Sequence, residues 1–210
     1  RAADEYAEAM SKARCLTPPP PFSLIETFRA EDSVPVRLDR HLARLAASAA
    51  YFGRRCDLPA VRAAIANHLA GHRAGVRRVR LTLDPAGAVT VESRVPDATP
   101  SPATVALAST PVDARDPFLC HKTTRRDVYD KHRALRPNVF DVLLWNEAGE
   151  LTEFTNANLV LELDGQRVTP PQESGLLAGV LRGELLEEST PPPRRVRRKV
   201  RDYFFLWAMT

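Results

Sequence analysis

Four groups in this 210-residue chain have the types and spacing that chemistry requires. The first is Lys122. Of 30 basic residues only Lys12, Lys122, Lys131 and Lys199 are lysines, and Lys122 stands in HKTTRR, after an aperiodic stretch and before a helical pattern. A lysine can shed its proton and form a Schiff base, which an arginine cannot; on position alone a solvated surface lysine is the simpler reading. The second is Glu153, which closes a strand opposite another that begins at Asn158. A carboxylate there is either solvated or the partner of a buried cationic ring nitrogen. The third is SGLLAGVLR at 174–182, a glycine turn entering a helix, whose free N–H groups and dipole suit an anion, although many such connections contain glycine. The fourth is Arg44 in RLDRHLARL, on the edge of an apolar stripe, where it either snorkels to solvent or reaches inward to an anion.

Singly, each group is ordinary. Their order along the chain is informative: helix arginine, loop lysine, strand-end glutamate, glycine-led helix start. These are the parts of a pyridoxal 5'-phosphate site, in which lysine binds the aldehyde, carboxylate holds the pyridine nitrogen, and arginine and helix terminus hold the phosphate.

The elements that must position these groups follow from periodicity. Residues 3–14 read as a short helix, and the proline run at 18–21 as a stiff spacer. A strand fits 22–30. Leu38, Leu42, Leu45, Ala49 and Phe52 repeat at helical spacing, with Arg37, His41, Arg44 and Ser48 as a polar stripe beside them. A second helix fits 59–70, with Pro59 in its first turn. Val79, Leu81 and Leu83 alternate with Arg78, Arg80 and Thr82 in a half-buried strand, which DPAG turns into AVTVES. A strand is expected at 103–109, an aperiodic connection at 111–121 and a helix at 123–136. Hairpins fill 141–154 and 158–169, the latter turning at Asp164-Gly165. A loop and helix fill 174–189, ended by prolines. The expected organisation is a tail (1–16), a proline linker (17–21), an N-terminal α/β unit (22–112), a connection (113–121), a C-terminal α/β unit (122–190) and a basic, aromatic tail (191–210).

Composition narrows the function classes. Apolar and charged fractions of 44% and 27% suit a globular chain. No apolar run approaches a membrane span, and the first ten residues lack a secretory apolar core. Three scattered cysteines fit neither a disulfide framework nor a zinc site, so a reducing cytoplasm and no metal are expected. The net charge of +4 comes from the last 20 residues, where six basic residues face Asp202; the preceding 190 residues carry −1. A near-neutral body gives no reason to expect a nucleic-acid or membrane partner.

The stretches LIETFRA, VRLDRHLARL, HKTTRRDVYD, LLWNEAGELTEFTNANLVLEL and SGLLAGVLR, spanning about residues 22–186, resemble the fold type IV pyridoxal-phosphate family of branched-chain and D-amino-acid aminotransferases and 4-amino-4-deoxychorismate lyases. The resemblance implies two small α/β domains of mixed α/β (α+β) class with a cofactor between them. It implies Lys122 as Schiff-base lysine, Glu153 as partner of the pyridine nitrogen, and Arg44 with the backbone of Val180 and Leu181, after Gly179, as phosphate contacts. Asn158 matches the asparagine that follows the family glutamate. Thr27, Arg29, Arg125 and Arg126 become candidates for a small dianionic substrate, and a homodimer is implied.

A narrower resemblance is to the lyase half of bifunctional aminodeoxychorismate synthase–lyase fusions. DEYAEAMSKARCL is similar to the last helix of the chorismate-binding synthase component. The implied reaction yields 4-aminobenzoate and pyruvate in folate synthesis. The chain departs from the family pattern at Phe154, where small residues are usual, and after GELLEEST, where PPPRRVRRKVRDYFFLWAMT carries no N-S-x-R-G-like motif. An aminotransferase on the same fold, and a truncated copy without activity, are the competing readings.

Overall fold

The computed structural model describes residues 21–197 and the backbone of 204–209, except residues 73, 101, 164 and 189–192. The helix expected at 3–14 and most of the proline run lie outside the described residues. Helices and strands form a mixed architecture with two sheets and two apolar cores.

The first sheet has the order β2-β1-β3-β4, all antiparallel: β1 (Leu24–Glu31), β2 (Val34–Pro35), β3 (Val76–Leu83) and β4 (Val89–Arg94). Alternation gives it two distinct faces. Leu24, Phe28, Val79, Leu81 and Leu83 point one way, into a core closed by α1 (Leu38–Tyr51) and α2 (Leu58–Ala70). From α1 come Leu42, Leu45 and Ala49, and from α2 Val61, Ile65 and Leu69. Asp57 caps α2 by accepting a 3.0 Å bond from the Ala60 N–H, and Pro59 occupies the first turn. The β3–β4 turn closes with Gly87 at φ +87°, a backbone open to glycine at little cost, while Asp84 Oδ1 accepts from the Ala88 N–H at 2.8 Å.

The second sheet has the order β10-β8-β7-β6-β5: β5 (Val105–Leu107), β6 (Asp141–Trp145), β7 (Leu151–Phe154), β8 (Ala157–Leu163) and β10 (Phe204–Met209), with β9 (Gln166–Val168) also paired to β8. β5 is parallel to β6 and the other pairs are antiparallel. Its core gathers Val142, Leu144, Leu151, Phe154, Leu159 and Leu161. Residues 105–112, assigned from sequence to the N-terminal unit, pack with this second sheet, because β5 pairs with β6 and Val112 joins its core. Residues 204–209, read from sequence as part of a tail, form a full edge strand along β8. No described helix is long and apolar enough to cross a membrane.

Two local differences from the periodicity concern the site. The connection at 111–121 contains a one-turn helix α3 (Pro117–Cys120), capped where Asp116 Oδ1 accepts from the Phe118 N–H at 2.9 Å. The helix expected over 123–136 is α4 (Asp127–Ala134). Residues 122–124 are extended because they bond to the start of β1: the Ile25 N–H donates to the Lys122 carbonyl at 2.9 Å, and the Thr124 N–H to the Ser23 carbonyl at 2.9 Å. Sheet-like pairing over a long sequence separation wins here over local helix formation.

Candidate active site

Lys122 is fixed by that pairing and faces a pocket between the two sheets. Ile25 and Thr27 of β1, Arg78 and Arg80 of β3, Tyr129 of α4, and Glu153 and Phe154 of β7 line it with Lys122. Loss of solvent, reinforced by the nearby Arg44 charge, lowers the Lys122 amine to about 8, while the carboxylates of Glu26 and Glu153 pull the other way.

Glu153 is 4% exposed on the wall of the same pocket. Burial pushes its carboxyl up to about 7 against the opposing effect of hydrogen bonds. Tyr129 Oη donates to Oε1 at 2.8 Å and Asn158 Nδ2 to Oε2 at 3.1 Å. Burial and the adjacent Glu153 raise the Tyr129 phenol well above its ordinary range, which keeps it protonated and a donor. The β7–β8 turn that aims Glu153 is held by buried Asp141. Its carboxylate accepts from the N–H groups of Val142 (2.7 Å), Thr155 (3.2 Å) and Asn156 (3.3 Å), and from the Thr155 hydroxyl.

Asn158 ties the carboxylate to the glycine loop, since its Nδ2 also donates to the Leu177 carbonyl at 2.9 Å. Two residues on, Gly179 passes so close that a Cβ there would lie 1.7 Å from Asn158 Oδ1. Helix α5 (Val180–Glu188) begins immediately after it. The first-turn N–H groups, Val180 and Leu181 among them, have no acceptor within the helix.

Arg44, expected from the resemblance to contact a phosphate, is held by two neighbours. Its Nε and one terminal nitrogen form a two-pronged pair with Glu26 at 2.8 and 2.7 Å, and the other terminal nitrogen donates to the Ala178 carbonyl at 3.0 Å. Glu26, 1% exposed, also meets His41 Nδ1 at 2.7 Å. Burial alone would raise the Glu26 carboxyl, but the hydrogen bonds and charges of Arg44 and His41 overcome it and hold it below the ordinary range. Arg44 therefore buttresses the glycine loop while two of its five N–H donors are left over. We expect Glu26→Gln to lower the unfolding free energy by about 2 kcal/mol, read by urea denaturation, because Arg44 loses its charge partner in a buried setting.

The fold thus brings Lys122, Glu153, Thr27, Arg125 and Arg126 to one pocket, while Arg44, Asn158, Gly179, Val180 and Leu181 do not line it. Arg126 donates to the Thr155 carbonyl at 2.6 Å and lies 4.6 Å over the Tyr129 ring. Arg125 lies 4.5 Å over the Phe118 ring and pairs with Asp127 at 3.4 Å. Arg29 is not on this pocket. It pairs with Glu31 at 2.6 Å and lines an adjoining cleft. Sequence reasoning missed Glu26, His41, Tyr129, Arg78 and Arg80. For Glu26 a signal existed: alternation puts it on the apolar face with Leu24 and Phe28, and an acid there needs a cationic partner. Among the described residues no cluster of His, Cys, Asp or Glu could hold a metal ion.

A buried carboxylate, a desolvated lysine and a glycine cradle that any side chain would fill suit a cofactor carrying an aldehyde, a ring nitrogen and an anionic group. The family model for class IV amino-transferases matches residues 23–195. A Schizosaccharomyces pombe protein, provisionally named an aminodeoxychorismate lyase, is 37% identical over 120 residues, covering 54% of this chain and 52% of that protein; the chain thus spans about half of that relative's length. A solved Mesorhizobium loti protein, provisionally named an amino-acid aminotransferase, is 36% identical with a TM-score of 0.77, covering 84% of this chain and 88% of that one. A hypothetical aminotransferase from Mycobacterium tuberculosis, solved in a pyridoxal-phosphate-bound form, shares the fold at 22% identity and a TM-score of 0.68, covering 84% of this chain and 72% of that one. With the family model matching residues 23–195, most of its length, the chain belongs to the class IV aminotransferase family.

Proposed function

We propose that this protein is a pyridoxal-phosphate-dependent lyase that converts 4-amino-4-deoxychorismate to 4-aminobenzoate and pyruvate. The observation that carries the reading is the meeting of Lys122 and Glu153 in one pocket, each shifted toward neutrality by burial and each within reach of the other's charge. The lyase name of the S. pombe relative supports the choice of substrate. The family resemblance supports a homodimer and a chorismate-binding synthase component as partner.

When bound, pyridoxal phosphate supplies an aldehyde for the lysine amine and a ring that accepts the electron pair of a broken C–H bond. Lys122 Nζ is the group to hold it. Glu153 is the counterion for its ring nitrogen, with Tyr129 and Asn158 fixing both carboxylate oxygens. The Val180 and Leu181 N–H groups, with the spare donors of Arg44, would be its anion contacts. The neutral Lys122 amine takes the proton from the amine-bearing carbon of the substrate. The neighbouring carbon–oxygen bond breaks with its electron pair going to the oxygen, the ring becomes aromatic, and the released enolate takes up a proton to become pyruvate. No keto acid is consumed.

The test follows from that balance. Purified protein supplied with pyridoxal phosphate and aminodeoxychorismate is expected to release pyruvate and 4-aminobenzoate in equal amounts without a keto acid. A second reading, a class IV aminotransferase, is favoured by the identity to the M. loti protein; turnover only when a keto acid is added would establish it instead. Absence of cofactor binding and turnover would establish a non-catalytic copy. The Lys122 amine adds a pH prediction. It is charged below about pH 8 and neutral above, and only the neutral amine attacks an aldehyde. Cofactor loading, followed by stopped-flow absorbance, should therefore accelerate through about pH 8. An inflection in the ordinary lysine range would mean that the amine is solvated.

A further inference from the structure

Helix α5 presents the N–H groups of Val180 and Leu181, yet little apolar packing holds it. Of its nine residues only Val180 and Arg182 are buried. A surface helix is ordinarily held by an apolar stripe against a core; here polar and charged groups take that part. On one side Arg182 donates to Thr169 Oγ1 at 3.1 Å and to the Pro170 carbonyl at 2.7 Å, which ties the helix to the segment after β9. On the other side stands α1 with a row of arginines. Arg37, Arg40 and Arg44 are spaced three and four apart, so their side chains project from one face. Arg37 pairs with Glu184. Arg40 pairs with both carboxylate oxygens of Glu187, at 2.8 and 2.5 Å, and feels the charges of Glu184 and Glu188 as well. Arg44 donates to the Ala178 carbonyl at 3.0 Å, one residue before Gly179. Three rungs thus run from the glycine loop along α5. The first rung holds Arg37 at φ +56°, a left-handed backbone that a residue with a side chain adopts at a cost.

We infer that Arg37 and Arg40, through Glu184 and Glu187, are positioning residues that fix the first turn of α5 for the anionic group of the cofactor. This inference rests on the pyridoxal-phosphate reading of the site. Backbone N–H groups bind an anion best when they are fixed beforehand, because a helix free to shift adds an ordering cost to binding. Exposed ion pairs are weak singly, and a two-pronged geometry within a network of several charges is the case in which they count. Neither arginine lines the Lys122 pocket, so the effect belongs to the anionic end of the ligand and not to its aldehyde.

The test compares wild type, Arg40→Glu, Glu187→Arg, the double reversal and Arg62→Gln. Arg62 pairs with Asp39 of the same helix α1 and controls for the loss of an exposed pair. Each protein is titrated with pyridoxal phosphate and, separately, with pyridoxal, which lacks the anion; Kd is read from the absorbance band at low and high salt. We expect each single reversal to raise the Kd for pyridoxal phosphate about tenfold and to leave that for pyridoxal within about twofold. The double reversal should return to within about twofold of wild type, Arg62→Gln should match wild type, and the tenfold difference should shrink with salt. Where a single reversal unfolds the protein, Arg40→Gln carries the same comparison with an effect of about threefold. An unchanged Kd for pyridoxal phosphate in the single variants overturns the inference. Equal losses for the two ligands, or a double reversal no better than the singles, also overturn it, by showing a general disturbance of the fold. A wild type that forms no band with either ligand, or binds both equally, overturns the cofactor reading and this inference with it.

Discussion

Lys122→Ala is expected to abolish the visible absorbance band that forms with pyridoxal phosphate and to reduce pyruvate release on the order of 1000-fold or more. Among the described residues Lys122 is the one lysine lining the pocket, so no other described amine stands there to replace it. The same substitution separates chemistry from folding. The fold lowers the amine's proton affinity, which means that at pH 7 the charged lysine works against the folded state. In cofactor-free protein the variant should therefore melt no lower than wild type. A variant that unfolds, or one that keeps the band, would contradict the assignment.

Gly179→Ala should produce the second large effect, this time on structure. The added methyl would lie 1.7 Å from Asn158 Oδ1 and 2.9 Å from its Cγ, so Asn158 has to leave. Leaving breaks its bonds to Glu153 and to the Leu177 carbonyl, both buried. Strain plus two lost buried hydrogen bonds amounts to about 4 kcal/mol. Urea denaturation should show that loss, and cofactor affinity should fall because the anchor of the Glu153 carboxylate and the start of α5 move together. A double variant, Gly179→Ala with Asn158→Ala, makes room for the methyl. It should recover stability relative to Gly179→Ala without recovering the Glu153 geometry. Equal stability of Gly179→Ala and wild type would show that the loop does not need its close approach.

Much of this was legible in the sequence because local rules govern it. The stripe of α1, the proline start of α2, the alternation of β3 and the β8–β9 hairpin are set by neighbours a few residues apart, and the structure follows them closely. The chemical groups stood out by residue type, as Lys122 did among arginines. What escaped was decided by partners far along the chain. Residues 123 and 124 fall in a helical pattern but pair with the chain at the start of β1, about 100 residues earlier. The polar side of β3 read as solvent-facing, because alternation shows two faces and not that the second sheet stands opposite one of them. The partner of Arg44 escaped because Glu26 lies on a different element and looked like one polar residue in an apolar strand. Alternation and the polar stripe of α1 contained that pairing implicitly, since an acid on a core face beside two cations on a helix edge has few other solutions.

The stitching of residues 122–124 to the first strand bears on how the protein folds. Neither half of the chain can position Lys122 alone: its backbone carbonyl is held by Ile25 from one half, and the carboxylate across the pocket comes from the other. Loop closure over about 100 residues is an entropic step that short-range structure does not assist. The reactive centre should therefore assemble late, after each sheet has formed around its own core. A chain interrupted partway would hold well-formed secondary structure and no competent lysine. The lowered proton affinity that makes this amine reactive toward aldehydes at moderate pH therefore arises only with the pocket that desolvates it.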